Sequence, residues 1–321
     1  MRVLFIFMRE THYDSTIVRQ SPCGGTEKSA IFLGEALRQL GYEVTWITTI
    51  PEMQALNRRD FDFVITQDAS LLSYFPNSKR IWWVHHFADA PEIQRISMYG
   101  RMFADQIVTL SQCQHKQYLE MLNLPTTVIG YGMWHDELAP QVEKTPFSMI
   151  YASTPFRGLH LLPAMFRQIR SFQPQARLTV CSSMKTYGYG PEQDAQYQAL
   201  FDELKSIEGI TLTGSMNQGD LYSLFAQTAV FLYPCTFTET YCLVMDEAIA
   251  HGCIPVVPDV GALPERFPPA GNTAESLLDM VKHVFERPNL SISDFNQVHQ
   301  PISWLEIGKR WQELVLTSPD C

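Results

Sequence analysis

Ten short apolar runs alternate with helix-like segments along this 321-residue chain, and that alternation constrains the fold more than any other feature. Arg2–Met8 (RVLFIFM) is nearly continuous in apolar residues, the pattern of a parallel strand buried on both faces. Glu43–Thr48, Phe61–Thr66, Arg80–His85 and Gln106–Thr109 follow it in the first half. Between the first two lies a helical stripe of Ala30, Ile31, Leu33, Leu37 and Leu40, closed by Gly41 at the C-terminal cap position. The pattern restarts at Phe147–Ala152 and continues through Arg177–Cys181, Ile210–Thr213, Val230–Tyr233 and Ile254–Val257. Such alternation predicts the α/β class, with doubly wound parallel sheets in two Rossmann-like halves.

The join is expected at Asp136–Pro146 (DELAPQVEKTP), which is charged, contains proline and has no apolar period. Residues 1–140 then form a first domain and 147–300 a second. In the remaining tail, 301–321, Ile302–Leu316 reads as an amphipathic helix that has to dock on something. The length exceeds one ordinary core, and 45% hydrophobic residues exclude disorder. Up to residue 145 there are 13 basic and 16 acidic residues, and 11 and 18 beyond it. Neither half is therefore the basic domain that bulk nucleic-acid binding requires.

The cysteines (Cys23, Cys113, Cys181, Cys235, Cys242, Cys253 and Cys321) are odd in number and scattered, with no C-x-x-C pair. That argues against a zinc cluster or a disulfide framework and for a reducing compartment. The N-terminal run Val3–Met8 ends in Arg9-Glu10 and is too short for a secretory core of about 7–15 apolar residues. No stretch nears the roughly 20 apolar residues of a membrane span. The expectation is a cytoplasmic protein.

Ligands of open α/β sheets bind beyond the carboxyl ends of the strands, so two such sheets facing each other predict a central cleft with mobile walls. The most informative stretch in that respect is Tyr233–Val257, YPCTFTETYCLVMDEAIAHGCIPVV. Glu239 ends a polar loop after a buried strand, and Glu247 lies eight positions on. A helix starting near Thr240 would leave the amides of Tyr241, Cys242 and Leu243 free beside Glu239. The plainer alternative is a helix-start glutamate complementing the dipole, with a solvated Glu247.

Glu239, Glu247, Ala248, Gly252, Pro255 and Val256 together resemble the signature of the retaining GT-B glycosyltransferases of family 4, within the glycosyl transferases group 1. The resemblance is specific over about residues 147–265 and looser over 1–135. It implies that Glu239 contacts donor-sugar hydroxyls, that Glu247 holds the ribose, and that Thr240, Tyr241, Cys242 and Leu243 offer amides to sugar and diphosphate. Many relatives carry glycine where Cys242 stands. It also implies that the tail helix around Trp304–Trp311 packs back on the first domain.

In Tyr151–Leu159 (YASTPFRGL), Ser153 and Thr154 offer hydroxyls and amides, and Arg157 a fork suited to phosphate. The family pairs an Arg with a Lys here. Arg157 fills the second position, Tyr151 replaces the first, and Ser153, Thr154 or Lys185 are the candidates to compensate. Gly24 and Gly25, before Thr26-Glu27, resemble the family's N-terminal glycine element and permit close backbone approach to a phosphate or acceptor. Without a full G-x-G-x-x-G, they argue against a nicotinamide enzyme. Trp82-Trp83-Val84-His85-His86 ends a strand in two histidines, of which only one can face a cleft. His85 fits the family's donor-contacting histidine, His86 being the alternative, and adjacent histidines are not a metal spacing. Asp60-Phe61-Asp62 matches the D-x-D metal motif of the other glycosyltransferase fold, but follows Arg58-Arg59 and opens a buried strand.

The function so implied is retaining, metal-independent transfer from a UDP- or GDP-linked sugar, with no cofactor, to a glycan, lipid-linked, protein or small-molecule acceptor. Glu239, His85 and Arg157 are the candidate catalytic residues. A catalytically silent nucleotide-sugar binder and a nucleotide-sugar epimerase of the same fold are the alternatives.

Overall fold

The computed structural model describes residues 1–9, 12–57 and 60–316. Glu10, Arg58, Arg59 and Cys321, used above, lie outside the described residues. The first half runs β1 (Arg2–Ile6), α1 (Ser15–Gln20), α2 (Gly25–Gln39), β2 (Glu43–Ile47), α3 (Ile50–Ala55) and β3 (Phe63–Thr66). It continues through β4 (Lys79–Trp83), α4 (Pro91–Phe103), β5 (Gln106–Thr109), α5 (Gln112–Leu122) and β6 (Thr127–Val128). Next come β7 (Thr145–Ala152), α6 (Leu162–Phe172), β8 (Arg177–Cys181), α7 (Glu192–Ala195), α8 (Gln198–Ser206) and β9 (Ile210–Leu212). The chain ends with α9 (Gln218–Gln227), β10 (Thr228–Leu232), α10 (Leu243–Ala250), β11 (Ile254–Val256), α11 (Ala274–Phe285) and α12 (Trp304–Leu314).

Two compact units result. The first comprises residues 1–16, 25–134 and those from 302 onward; the second comprises 17–24 and 135–301. In the first, six parallel strands lie in the order β2-β1-β3-β4-β5-β6. All ten expected strands form, several a residue or two shorter, and β6, only two residues long, carries too little pattern to be read from sequence. Trp82 and Trp83 are fully buried core residues, Trp82 against Tyr118 and Trp83 against Trp311. Helix α12, capped by Ser303 Oγ on the Glu306 amide, buries Trp304, Ile307 and Trp311 and packs on α2. Asp62 accepts from the Arg2 amide at 2.7 Å, at the amino ends of β1 and β3. The D-x-D segment thus sits opposite the ligand-binding end of the sheet.

In the second unit five parallel strands follow the order β11-β10-β7-β8-β9. Its core gathers Ile150, Phe166, Val180, Phe231, Met245 and Val256 between sheet and helices. The unit boundary falls at 134/135, ahead of the expected linker. Polar residues explain the shift. Lys144 Nζ donates to the Phe225 carbonyl at 2.9 Å and also to that of His251, Gln141 Nε2 donates to the Ala250 carbonyl, and the Ala139 amide donates to His251 Nε2. The charge and proline that read as a loose connection instead tie residues 139–144 to the carbonyl ends of α9 and α10. No helix among the described residues is long and apolar enough to cross a membrane.

Candidate active site

The order β11-β10-β7-β8-β9 reverses its direction of winding between β10 and β7, the point at which open α/β sheets bind ligands. The carboxyl ends of those two strands carry the segments 153–158 and 233–242, which hold most of the residues singled out from sequence. Two glycines press these segments into place. At Gly158 (φ 108°) an added Cβ would lie 2.1 Å from the Pro234 carbonyl oxygen. At Gly261 (φ 58°) it would lie 2.4 Å from that of Glu239, which also accepts from the Ala262 amide at 2.8 Å. Only glycine combines a positive φ with such close approach.

Glu239, 4% exposed, is held at one oxygen from three sides. Its Oε1 pairs with Arg157 Nη1, accepts from the Tyr233 hydroxyl and lies 3.9 Å from Cys235 Sγ. Arg157 Nη2 donates to the Tyr187 hydroxyl at 2.8 Å. The guanidinium stands 4.3 Å from the Phe237 ring centroid and 5.5 Å from that of Phe156. Its buried Nε finds no protein acceptor. Burial works to lower the Arg157 pKa, but Glu239, then Tyr233 and Tyr187, overcome it and hold the pKa above its ordinary value. Burial, reinforced by Glu239, pushes the Cys235 thiol up to about 12, so it stays protonated and is no nucleophile.

The other residues of these loops divide. Ser153 Oγ lies 3.3 Å from the Tyr233 hydroxyl, and its amide donates to the Cys181 carbonyl. Thr154 is buried, and its carbonyl accepts from the Tyr151 hydroxyl at 2.9 Å. Tyr151 is wholly buried against Tyr233, so no cation replaces the missing arginine there. Lys185 is exposed on the 184–187 turn, and its amide donates to Ser183 Oγ. Tyr187, two residues further on, is the member of that turn that reaches Arg157.

Helix α10 starts at Leu243, not near Thr240. Tyr241 is instead buried in the preceding loop, its hydroxyl accepting from Arg266 Nη2 at 2.6 Å. Arg266 is itself forked onto buried Asp246. Cys242 takes the cap position with φ 76° and ψ 67°, in the left-handed region that glycine enters at least cost. Glu247 is buried rather than solvated, with Tyr222 donating to its Oε1 at 3.3 Å. Tyr187, Tyr222, Tyr233, Gly261 and the Asp246–Arg266 pair went unread in the sequence. Single tyrosines far from their partners leave no periodic signal, although Gly261, next to a Pro-Asp-Val run, marks a turn.

Gly24 is buried at the end of the second unit's segment 17–24, and in the first unit α2 starts at Gly25. His85 is 8% exposed two residues past β4, whereas His86 is exposed and 3.9 Å from Glu92. His85 Nδ1 lies 2.7 Å from the Tyr131 hydroxyl, and its ring packs among Phe7, Trp83 and Tyr131. Burial, and then the neighbouring His86, bring its pKa down to about 3. The imidazole is therefore neutral at physiological pH, a hydrogen-bonding group rather than a general acid. Among the described residues no cluster of three or more His, Cys, Asp or Glu is arranged to hold a metal.

Residues 134–274 match the family model described as Glycosyl transferases group 1. The comparison with curated proteins gives no match. Solved structures share the fold over nearly the whole chain. The Anabaena protein HepE in complex with UDP-glucose superposes with a TM-score of 0.74 at 13% identity, covering 98% of this chain and 99% of its own. For a Thermosynechococcus elongatus sucrose-phosphate synthase the values are 0.70 and 15%, over 98% and 96%. For the catalytic domain of Arabidopsis thaliana Starch Synthase IV, bound to ADP and acarbose, they are 0.66 and 12%, over 97% and 96%. At such identities these are likenesses of fold. Residues 134–274 thus carry the glycosyl transferases group 1 match, and the whole chain shares the GT-B fold of these enzymes.

Proposed function

We propose that this glycosyltransferase moves a sugar from a UDP- or GDP-linked donor to an acceptor hydroxyl, with retention of anomeric configuration and without a metal ion or cofactor. The supporting observation is the part-buried Arg157–Glu239 pair at the switch point of the second sheet, with one guanidinium N–H to spare. The UDP-glucose held by HepE favours a uridine donor. In this reading Glu239 takes donor-sugar hydroxyls and Glu247 the ribose. Arg157, Ser153, Thr154 and the amides of Thr240 to Leu243 take the diphosphate, with Gly24 and Gly25 a further phosphate or acceptor contact. The bond from the anomeric carbon to the diphosphate breaks, its electron pair leaving with phosphate. The acceptor oxygen bonds to the same face, and its proton passes to the departing phosphate oxygen. Arg157 and the amides stabilise the charge that develops there, fixed dipoles being most effective away from water. His85 enters only as a neutral imidazole. The free cysteines at six described positions fit a reducing, cytoplasmic setting.

Incubation with UDP-glucose and an acceptor panel, with and without EDTA, tests the reading. A product of retained configuration that forms in EDTA supports it. Inversion, or loss of transfer restored by a divalent cation, overturns the corresponding half.

A further inference from the structure

Glu247 does not stand alone in the second turn of α10. Its Oε1 accepts from the Tyr222 hydroxyl at 3.3 Å, and the Tyr222 oxygen lies 2.6 Å from Gln218 Nε2, one turn earlier on α9. Gln218 is 5% exposed and Tyr222 2%, so water does not compete for these bonds. Chemistry dictates their direction. A carboxylate only accepts, so the phenol donates to it, and the phenolic oxygen then accepts from the amide NH2 of Gln218. Burial, and then Glu247, raise the Tyr222 pKa well above its ordinary value, which keeps that proton in place.

This arrangement has a cost. With its NH2 turned to Tyr222, Gln218 leaves a buried Oε1 with no protein partner, an uncompensated desolvation of a buried acceptor. An apolar residue would avoid it, so the glutamine is not there for stability. The backbone of Glu247 is pinned as well. His251 Nε2 accepts from the Ala139 amide at 3.1 Å, which leaves Nδ1–H to donate to the Glu247 carbonyl at 2.7 Å. Gln218 and Tyr222 also line a cavity of about 510 Å³ with Arg19, Gln20, Glu137 and Asn217, large enough for a nucleoside.

We infer that Tyr222, oriented by Gln218, is a positioning residue that fixes the Glu247 carboxylate for the ribose hydroxyls of the donor, so that the Gln218–Tyr222–Glu247 relay selects ribonucleotides. The inference rests on the assignment of Glu247 to the ribose. Calorimetric titration with UDP and 2′,3′-dideoxy-UDP, or with the GDP pair, tests it in wild type, Glu247→Ala, Tyr222→Phe and Gln218→Met.

Wild type is expected to prefer the ribonucleotide at least about tenfold, and Glu247→Ala to abolish that preference. Tyr222→Phe and Gln218→Met should each reduce it about threefold or more, raising the donor KM by a larger factor than they lower kcat. Gln218→Met should do so without a fall in Tm, and it carries the test if Tyr222→Phe does not fold. Preference retained in Glu247→Ala would overturn the ribose assignment and the inference with it. Preference lost there but intact in Tyr222→Phe and Gln218→Met would leave the assignment standing and refute the relay.

Discussion

Arg157 and Glu239, 82 positions apart in the chain, form one part-buried ion pair at the carboxyl ends of β7 and β10. Each is expected to lower turnover at least about tenfold when replaced by alanine, roughly 1.4 kcal/mol of barrier. Initial rates of donor consumption measure this, and wild-type rates in both variants would remove the assignment. Stability should respond differently from activity. Arg157→Leu leaves a buried carboxylate without its cation, a loss of about 3 kcal/mol, whereas Arg157→Leu with Glu239→Leu should recover at least half of it. Urea unfolding compares the two.

Gly158 and Gly261 hold the two halves of that pair through backbone contact. Alanine at either position should destabilise the fold and reduce turnover together. Gly188 is the internal control, because it has φ 78° yet nothing within 4 Å of an added Cβ. Gly188→Ala should cost only about 1 kcal/mol, the price of a left-handed backbone, and keep its activity. Equal losses at all three glycines would show that backbone strain, not contact with Pro234 and Glu239, decides the effect.

Cys242 occupies a left-handed cap that suits glycine. Cys242→Val, β-branched at φ 76°, is expected to destabilise by at least about 2 kcal/mol. Cys242→Gly should stay within about 1 kcal/mol of wild type, the backbone relief offsetting the lost side chain. The reverse order of unfolding midpoints would contradict this.

His85 makes stability fall in acid. Its pKa is about 3 in the folded chain against 6.5 for an ordinary histidine. Between those values the unfolded chain binds a proton that the folded chain refuses, so the contribution is complete above about pH 6.5 and is lost as pH falls towards 3. From pH 7.5 to 4.5 the loss is about 2–3 kcal/mol. Urea midpoints should drop less over that range in His85→Asn than in wild type, and parallel slopes would refute the cause.

Local pattern alone determined much of this protein. Continuous apolar runs identify strands such as β1 and β10 because a strand covered on both faces has no polar side to show. Helical stripes mark the intervening helices, and the strand–helix alternation leads to two parallel sheets. The spacing of Glu239, Glu247, Gly252 and Pro255 pointed to the family because those residues lie within one strand–helix–strand unit. Only the tertiary structure decided which side chains meet. Arg157 with Glu239, Tyr187 with Arg157, Tyr222 with Glu247 and Gly261 with Glu239 are joined by strand order, not by distance along the chain. The charged segment before β7 misled for the same reason. Lys144 and Gln141 look like solvated linker residues until the carbonyl ends of α9 and α10 are folded against them.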